Sequence, residues 1–320
     1  MIKMLAPLTL ASCLALLVPA PAAAQGLPPI YDGLPRQIQK ATTVAEFPKG
    51  TFLENIAIGP RGDFFVTSYL EGKIYRITDK GSSETWAQLD GTIAGIALNP
   101  DGSALVSGWH KGKVPALFMV EADGQGRLLM NLEGGQFPNG VVRLGPGQYL
   151  VADSYRGVIW SVDSAARKAG IWLDHPMLAR RVADDPTPAA NGLKLRGDQL
   201  YVSNTSKQIL VRVPVVAGKA GAPELVSAQL GLDDFDFDSG GTLYGATHVY
   251  NSLVRVSPGG KVSVLAELPQ GMAGNTAVAV VERPGQAPTL WVTTNGGMSM
   301  PPAGGVQPGR LVRVEVDAAK

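Results

Sequence analysis

A chain of 320 residues that is 45% apolar and 17% charged carries too much hydrophobic surface to stay disordered, and its 39 Gly and 24 Pro point to many short strands and turns. With 28 Lys and Arg against 27 Asp and Glu, the formal charge is +1, which leaves no electrostatic footprint for nucleic acid or an anionic membrane surface.

The first 24 residues read as a targeting segment. Lys3 precedes an apolar run from Leu5 to Val18, and Pro19, Pro21 and Ala22-Ala23-Ala24 follow ahead of Gln25, the pattern of a secretory signal peptide cut near Ala24. Leu10-Ala11-Ser12-Cys13 also fits a lipoprotein box, so anchoring through Cys13 is the minor alternative. The expected location is therefore periplasmic or secreted. Cys13 is the one cysteine, so removal of the leader excludes disulfides, cysteine metal sites and cysteine nucleophiles from the mature chain. No later apolar run approaches the ~20 residues of a membrane helix, so no membrane span is expected.

From residue 43 onward six segments share one plan: an apolar strand, a Gly, Pro or Asp turn, and a second apolar strand. They are ENIAIGPRGDFFVT (54–67), AGIALNPDGSALVS (94–107), NGVVRLGPGQYLVA (139–152), NGLKLRGDQLYVS (191–203), DDFDFDSGGTLYGA (233–246) and NTAVAVVERPGQAPTLWVT (275–293). Further strand-like runs such as KIYRI (73–77) and VIWSV (158–162) fill the intervals. Four antiparallel strands per unit of about 45 residues is the repeat of a propeller blade. The sequence thus predicts an all-β fold, a six-bladed β-propeller of four-stranded antiparallel blades over 43–320. Residues 25–42 form an N-terminal segment and closing strand, with Gln37 to Phe47 as the outer strand of the last blade. A two-sheet sandwich is the structural rival.

The first strand of each blade lines a propeller's channel, so the six starting residues face one axis. They are Glu54, Ala94, Asn139, Asn191, Asp233 and Asn275, with Asn55 and Asp234 one position later. A ring of carboxylates and amides, with no Cys or His, suits a hard cation of calcium type. Taken singly, each Asn or Asp also reads as a turn cap before a strand. The second strand returns to the same face and brings Tyr69, Trp109, His110, Asp153, Ser154, Tyr155, Asn204, Thr205, Thr247, His248, Thr294 and Asn295. Long connections at 174–190 and 296–309 reach that face as candidate lids, with Met177, Met298 and Met300 as adaptable contacts. Of the three histidines, His248 and His110 end second strands and His175 lies in the first long connection.

The segments FLENIAI (52–58), NGVV (139–142), ANGLKL (190–195), LDDFDFDSGGTLYG (232–245) and LWVTTNGG (290–297) resemble the regucalcin/gluconolactonase family of six-bladed propellers, and more distantly paraoxonase. That resemblance spans about residues 43–316. It implies a divalent cation in the channel, calcium or a substitute such as zinc, with Glu54, Asn139, Asn191 and Asp233 as ligands and Asp234 as a further oxygen ligand. It implies Asp233 as both ligand and base, and Asp236 matches a position that supports a second cation in phosphatase-like relatives. Where those enzymes carry Asp-Gly this chain has Asp233-Asp234, and their sugar-contacting arginine has no counterpart.

The expected activity is a metal-dependent hydrolase of a small-molecule lactone or ester, with Asp233, or His248 through water, as proton acceptor. The alternative from another class is a non-catalytic periplasmic binding or scaffold propeller with a structural metal. A strictosidine-synthase-like condensing enzyme is a third reading, disfavoured by the ligand ring.

Overall fold

The computed structural model describes residues 28–317, so the expected signal peptide and Cys13 lie outside the described residues. Six antiparallel sheets follow one another around a ring, one for each repeat found in the sequence. Blades one to five span 53–88, 91–131, 138–174, 190–228 and 235–266, and blade four carries an extra two-residue strand, Lys219–Ala220. Blade six joins three strands from 275–315 to the N-terminal strand Lys40–Lys49, which pairs with Pro308–Glu315. The closing strand crosses the boundary expected at residues 42 and 43. Helix among the described residues amounts to two short 3-10 turns, Pro176–Leu178 and Leu268–Gln270. Neither of them is long and apolar enough to cross a membrane.

The second strands read as continuous apolar runs because both faces of each blade are buried. Side chains alternate across a strand. In Ala104–His110, Ala104 and Val106 therefore enter the wedge shared with blade one, while Leu105 enters the wedge shared with blade three. Six apolar clusters result, one between each pair of neighbouring blades. The core is thus distributed between the blades, and the axis is left to polar residues.

The segment before the closing strand straps blade five. Gln37 and Gln39 donate backbone N–H bonds to Val264 and Leu265, both at 2.8 Å, and Tyr31 is buried against Tyr250 with ring centroids 4.9 Å apart.

Candidate metal centre and its rim

Five inner strands break register at the same place. One extra residue sits between Leu53 and Ile56, between Ile93 and Ile96, between Pro138 and Val141, between Ala190 and Leu193, and between Asn275 and Ala277. These bulges fall on the ring positions, and a bulge re-aims a side chain that a regular strand would point sideways. Blade five reaches the same end differently, with Asp233 and Asp234 standing just ahead of the short strand Phe235–Phe237.

In three blades a hydroxyl opposite the bulge both repairs the ladder and reaches the next blade. Thr67, Ser107 and Ser203 accept the N–H of Asn55, Gly95 and Gly192 at 2.8–2.9 Å. The same hydroxyls donate to the carbonyls of Ala94, Asn139 and Asp233 in the next blade, at 2.7, 2.5 and 2.8 Å. Three of the six ring residues, Ala94, Asn139 and Asp233, are thereby held by the preceding blade's hydroxyl. The glycine after the ring residue is required by this closeness. A Cβ on Gly140 would lie 2.2 Å from the Asn191 carbonyl oxygen, and one on Gly192 would lie 2.4 Å from Asp234 Oδ1.

Glu54, Asn139, Asn191, Asp233 and Asn275 are all buried. Asn191 Nδ2 donates to Asp233 Oδ1 at 2.5 Å and reaches Thr205 Oγ1 at 3.2 Å, and Asn139 Nδ2 reaches Ser154 Oγ at 3.3 Å. Three buried ring oxygens have no hydrogen-bond partner: Glu54 Oε2, Asp233 Oδ2 and Asn275 Oδ1. They belong to the consecutive blades one, five and six of the closed ring. Burial, then the charges of Asp233 and Asp234, hold the Glu54 carboxyl well above the usual carboxylate range. Unpartnered oxygens gathered around mutually repelling carboxylates fit a hard cation. Among the described residues no three His, Cys, Asp or Glu gather as a ligand set, so any cation here depends on the amides as well as the acids. Asn275, absent from the ligand set that the family resemblance implies, is the residue that the repeat start alone could have added.

Asp234 is drawn elsewhere. Lys194 Nζ lies 2.9 and 2.8 Å from its two oxygens, Asn55 Nδ2 donates at 3.2 Å, and the Phe235 N–H donates at 2.8 Å. A carboxylate whose oxygens are both taken by an ammonium is a poor cation ligand, so Asp234 leaves the expected set. Asp236 accepts backbone N–H bonds from Phe237 and Val280, both at 2.9 Å, which ties it to the sheet.

His248 sits at the start of a tight turn with φ of 50°, the left-handed region that a β-carbon disfavours, and Asn251 follows at 52°. Its Nδ1 lies 2.9 Å from Asp233 Oδ2, off the line an aligned hydrogen bond needs. Its Nε2 lies 2.9 Å from Asn295 Nδ2. Asn295 Oδ1 accepts the N–H groups of Gly297 and Met298 at 2.9 and 3.1 Å, which fixes the orientation of the side-chain amide. Nε2 therefore accepts, and the ring proton sits on Nδ1, facing Asp233. His110 instead approaches Asp90 at 3.6 Å, and His175 Nδ1 accepts the N–H of Met177 at 3.2 Å; neither joins the group.

Asp153 and Asn204 are structural. The Asp153 carboxylate accepts from the N–H groups of Gln136, Phe137 and Arg156 and from Trp160 Nε1, and Asn204 donates to the carbonyls of Met177 and Ala179. Two cavities of about 370 and 480 Å³ lie between blades at the opposite face, around the hairpins at 282–288 and at 99–103 with 146–147, away from these residues.

No protein-family model and no curated protein matches the chain. Solved structures do match in fold. A luciferin-regenerating enzyme superposes with a TM-score of 0.67 at 15% identity, over 87% of this chain and 95% of its own. A gluconolactonase from Xanthomonas campestris gives 0.64 at 15% identity, over 87% and 89%. The PQQ-bound aldose sugar dehydrogenase from Streptomyces coelicolor gives 0.59 at 15% identity, over 88% and 100%. At such identities the likeness establishes the fold, a six-bladed propeller of the kind that gluconolactonases use, and leaves the chemistry to the residues at its axis.

Proposed function

We propose that the chain is an exported hydrolase of lactones or related esters that works with a divalent cation, calcium or a substitute such as zinc. Glu54, Asn139, Asn191, Asp233 and Asn275 would hold the cation. The observation that carries this reading is the set of three buried oxygens on Glu54, Asp233 and Asn275 that accept no aligned hydrogen bond, beside carboxylates whose nearby ammonium, Lys194, is committed to Asp234. Fold likeness to a gluconolactonase and a luciferin-regenerating enzyme supports the same class. The leader at 1–24 supports export.

When bound, the cation would polarise the carbonyl and offset the charge of the oxyanion. The protein's own groups handle the proton. Asp233 takes it from the attacking water as the oxygen bonds to the carbonyl carbon. The ring C–O bond then breaks, and the departing alkoxide takes the proton back. Asn191 holds Asp233 by Oδ1, and His248, itself oriented by Asn295, stands at Oδ2. His248 is thus a positioning residue for Asp233 in this reading, because both its nitrogens face protein groups.

The test is hydrolysis of a lactone panel by the mature protein before chelation, after it, and after calcium is returned. Turnover that disappears and returns with the cation is the expected result, together with its loss in Asp233→Ala. Inactivity throughout, with a melting temperature that still rises on adding calcium, would replace this reading by a binding propeller with a structural metal.

A further inference from the structure

Five aromatic rings form an unbroken series along the rim on the face where the ring residues stand. Phe52 and Phe137 immediately precede the inner strands of blades one and three, Trp109 lies near the end of the second strand of blade two, and Tyr69 and Tyr155 follow the second strands of blades one and three by one and two residues. The centroid spacings are 5.3 Å for Phe52 to Tyr69, 5.8 Å for Tyr69 to Trp109, 4.6 Å for Trp109 to Phe137 and 4.9 Å for Phe137 to Tyr155. The series starts at the site, since the Phe52 ring lies 5.9 Å from that of His248, and it ends under the Arg180 guanidinium, 5.2 Å above Tyr155. All five rings are half-buried.

Two of the three polar ends of this arc are taken by backbone carbonyls. Trp109 Nε1 donates to the Gln136 carbonyl at 3.3 Å, and the Tyr155 hydroxyl donates to the Pro186 carbonyl at 3.2 Å. The third is the Tyr69 hydroxyl, near enough to Glu54 to feel its charge, and the rest of the arc is ring carbon. A sugar lactone needs a hydrogen-bond partner for each of the several hydroxyls it buries, and five rings that offer a single hydroxyl do not supply them. An apolar group gains from the same surface in proportion to the area covered. Partly exposed rings of five different residues in one contiguous patch, beside the reactive groups, have this use as their simplest physical account.

We infer that the arc from Phe52 to Tyr155 binds the apolar portion, alkyl or aryl, of the ester or lactone opened at Asp233, so that the substrate class is hydrophobic rather than polyhydroxylated. This rests on the proposed hydrolase activity, and the experiment separates the two.

kcat/KM is measured for δ-valerolactone, δ-octalactone, δ-decalactone, δ-dodecalactone, dihydrocoumarin and glucono-δ-lactone. Binding of 2-heptyltetrahydropyran, which has no bond to hydrolyse, is measured by calorimetry on the same protein. The expected result is kcat/KM rising by up to about fourfold per added methylene while the arc can cover it, with gluconolactone poorest. In Trp109→Ala and Phe137→Leu, each checked for a native melting transition, the ratio of δ-decalactone to δ-valerolactone falls at least tenfold and the pyran binds at least tenfold more weakly. If no lactone is hydrolysed, yet the pyran binds and both variants weaken it, the arc stands and the hydrolase reading falls. A flat chain-length series, gluconolactone as best substrate, or a pyran that does not bind would overturn the arc, whatever becomes of the hydrolase.

Discussion

Two acidic residues adjacent in sequence have opposite settings, and the difference lies in what each finds within reach. Asp234 meets an ammonium, an amide and a backbone N–H, whereas Glu54 buries an oxygen that nothing donates to and Asp233 buries one that His248 Nδ1 approaches at 2.9 Å without an aligned hydrogen bond. Glu54 therefore carries a testable signature in the cation-free protein. Its carboxyl is raised, so the folded state holds that proton more tightly than the unfolded chain does. The resulting stability is present below the ordinary carboxylate value and is lost as pH rises through the raised one, at up to about 1.4 kcal/mol per pH unit. The chelated protein should thus melt at progressively lower temperature from acid toward neutral pH. Glu54→Gln should flatten that slope, and calcium should reverse it by favouring the ionised form. A chelated wild-type protein whose melting temperature does not change over that range would contradict the assignment.

The bulged inner strand is the element that makes the site, and it is only partly legible in the sequence. The repeat starts 54, 94, 139, 191, 233 and 275 are visible because each apolar strand opens on one, and they lead to the axis without knowledge of any bulge. The hydroxyls of Thr67, Ser107 and Ser203 are equally regular, closing three of the repeats, but their role needs the register shift and the next blade's carbonyl, neither of which a single segment contains. For the same reason Asp234 reads as a ligand in sequence: Lys194, its partner, belongs to another blade 40 residues away. The stitch predicts a graded response. Ser203→Ala should cost about 1–2 kcal/mol, a fall in melting temperature of roughly 2–6 °C, because it strands one N–H and one carbonyl. Gly192→Ala should cost more, since its Cβ would meet Asp234 Oδ1 at 2.4 Å and the Asp234 Cα at 2.9 Å. It should also weaken calcium binding at least tenfold by shifting the backbone of Asp233. Equal, small effects of both changes on melting and on calcium titration would argue that the stitch does not position the ring.

The whole molecule is a closed circle of wedges, so its stability depends on the one seam where the chain ends meet. Blade six is completed by Lys40–Lys49 against Pro308–Glu315, and that pairing puts Ala45 and Phe47 into the cluster shared with blade one. The strap ahead of it has a separate job. The Tyr250 hydroxyl donates to the Pro28 carbonyl at 2.8 Å, accepts from Gln208 Nε2 at 2.7 Å, and its ring meets buried Tyr31, which steadies the turn that carries His248. Two deletions should therefore behave differently. Removing 28–36 leaves the seam intact, and the variant should elute as the full-length protein does and still unfold in one transition, lower by several degrees, with slower turnover as the His248 turn loosens. Extending the deletion through Lys49 exposes Pro308–Glu315 as an open strand edge, a template for pairing between molecules. That variant should lose its single calorimetric transition and associate on size exclusion with light scattering. Wild-type elution and wild-type melting after the longer deletion would mean that the ring is held by its six apolar wedges without the seam.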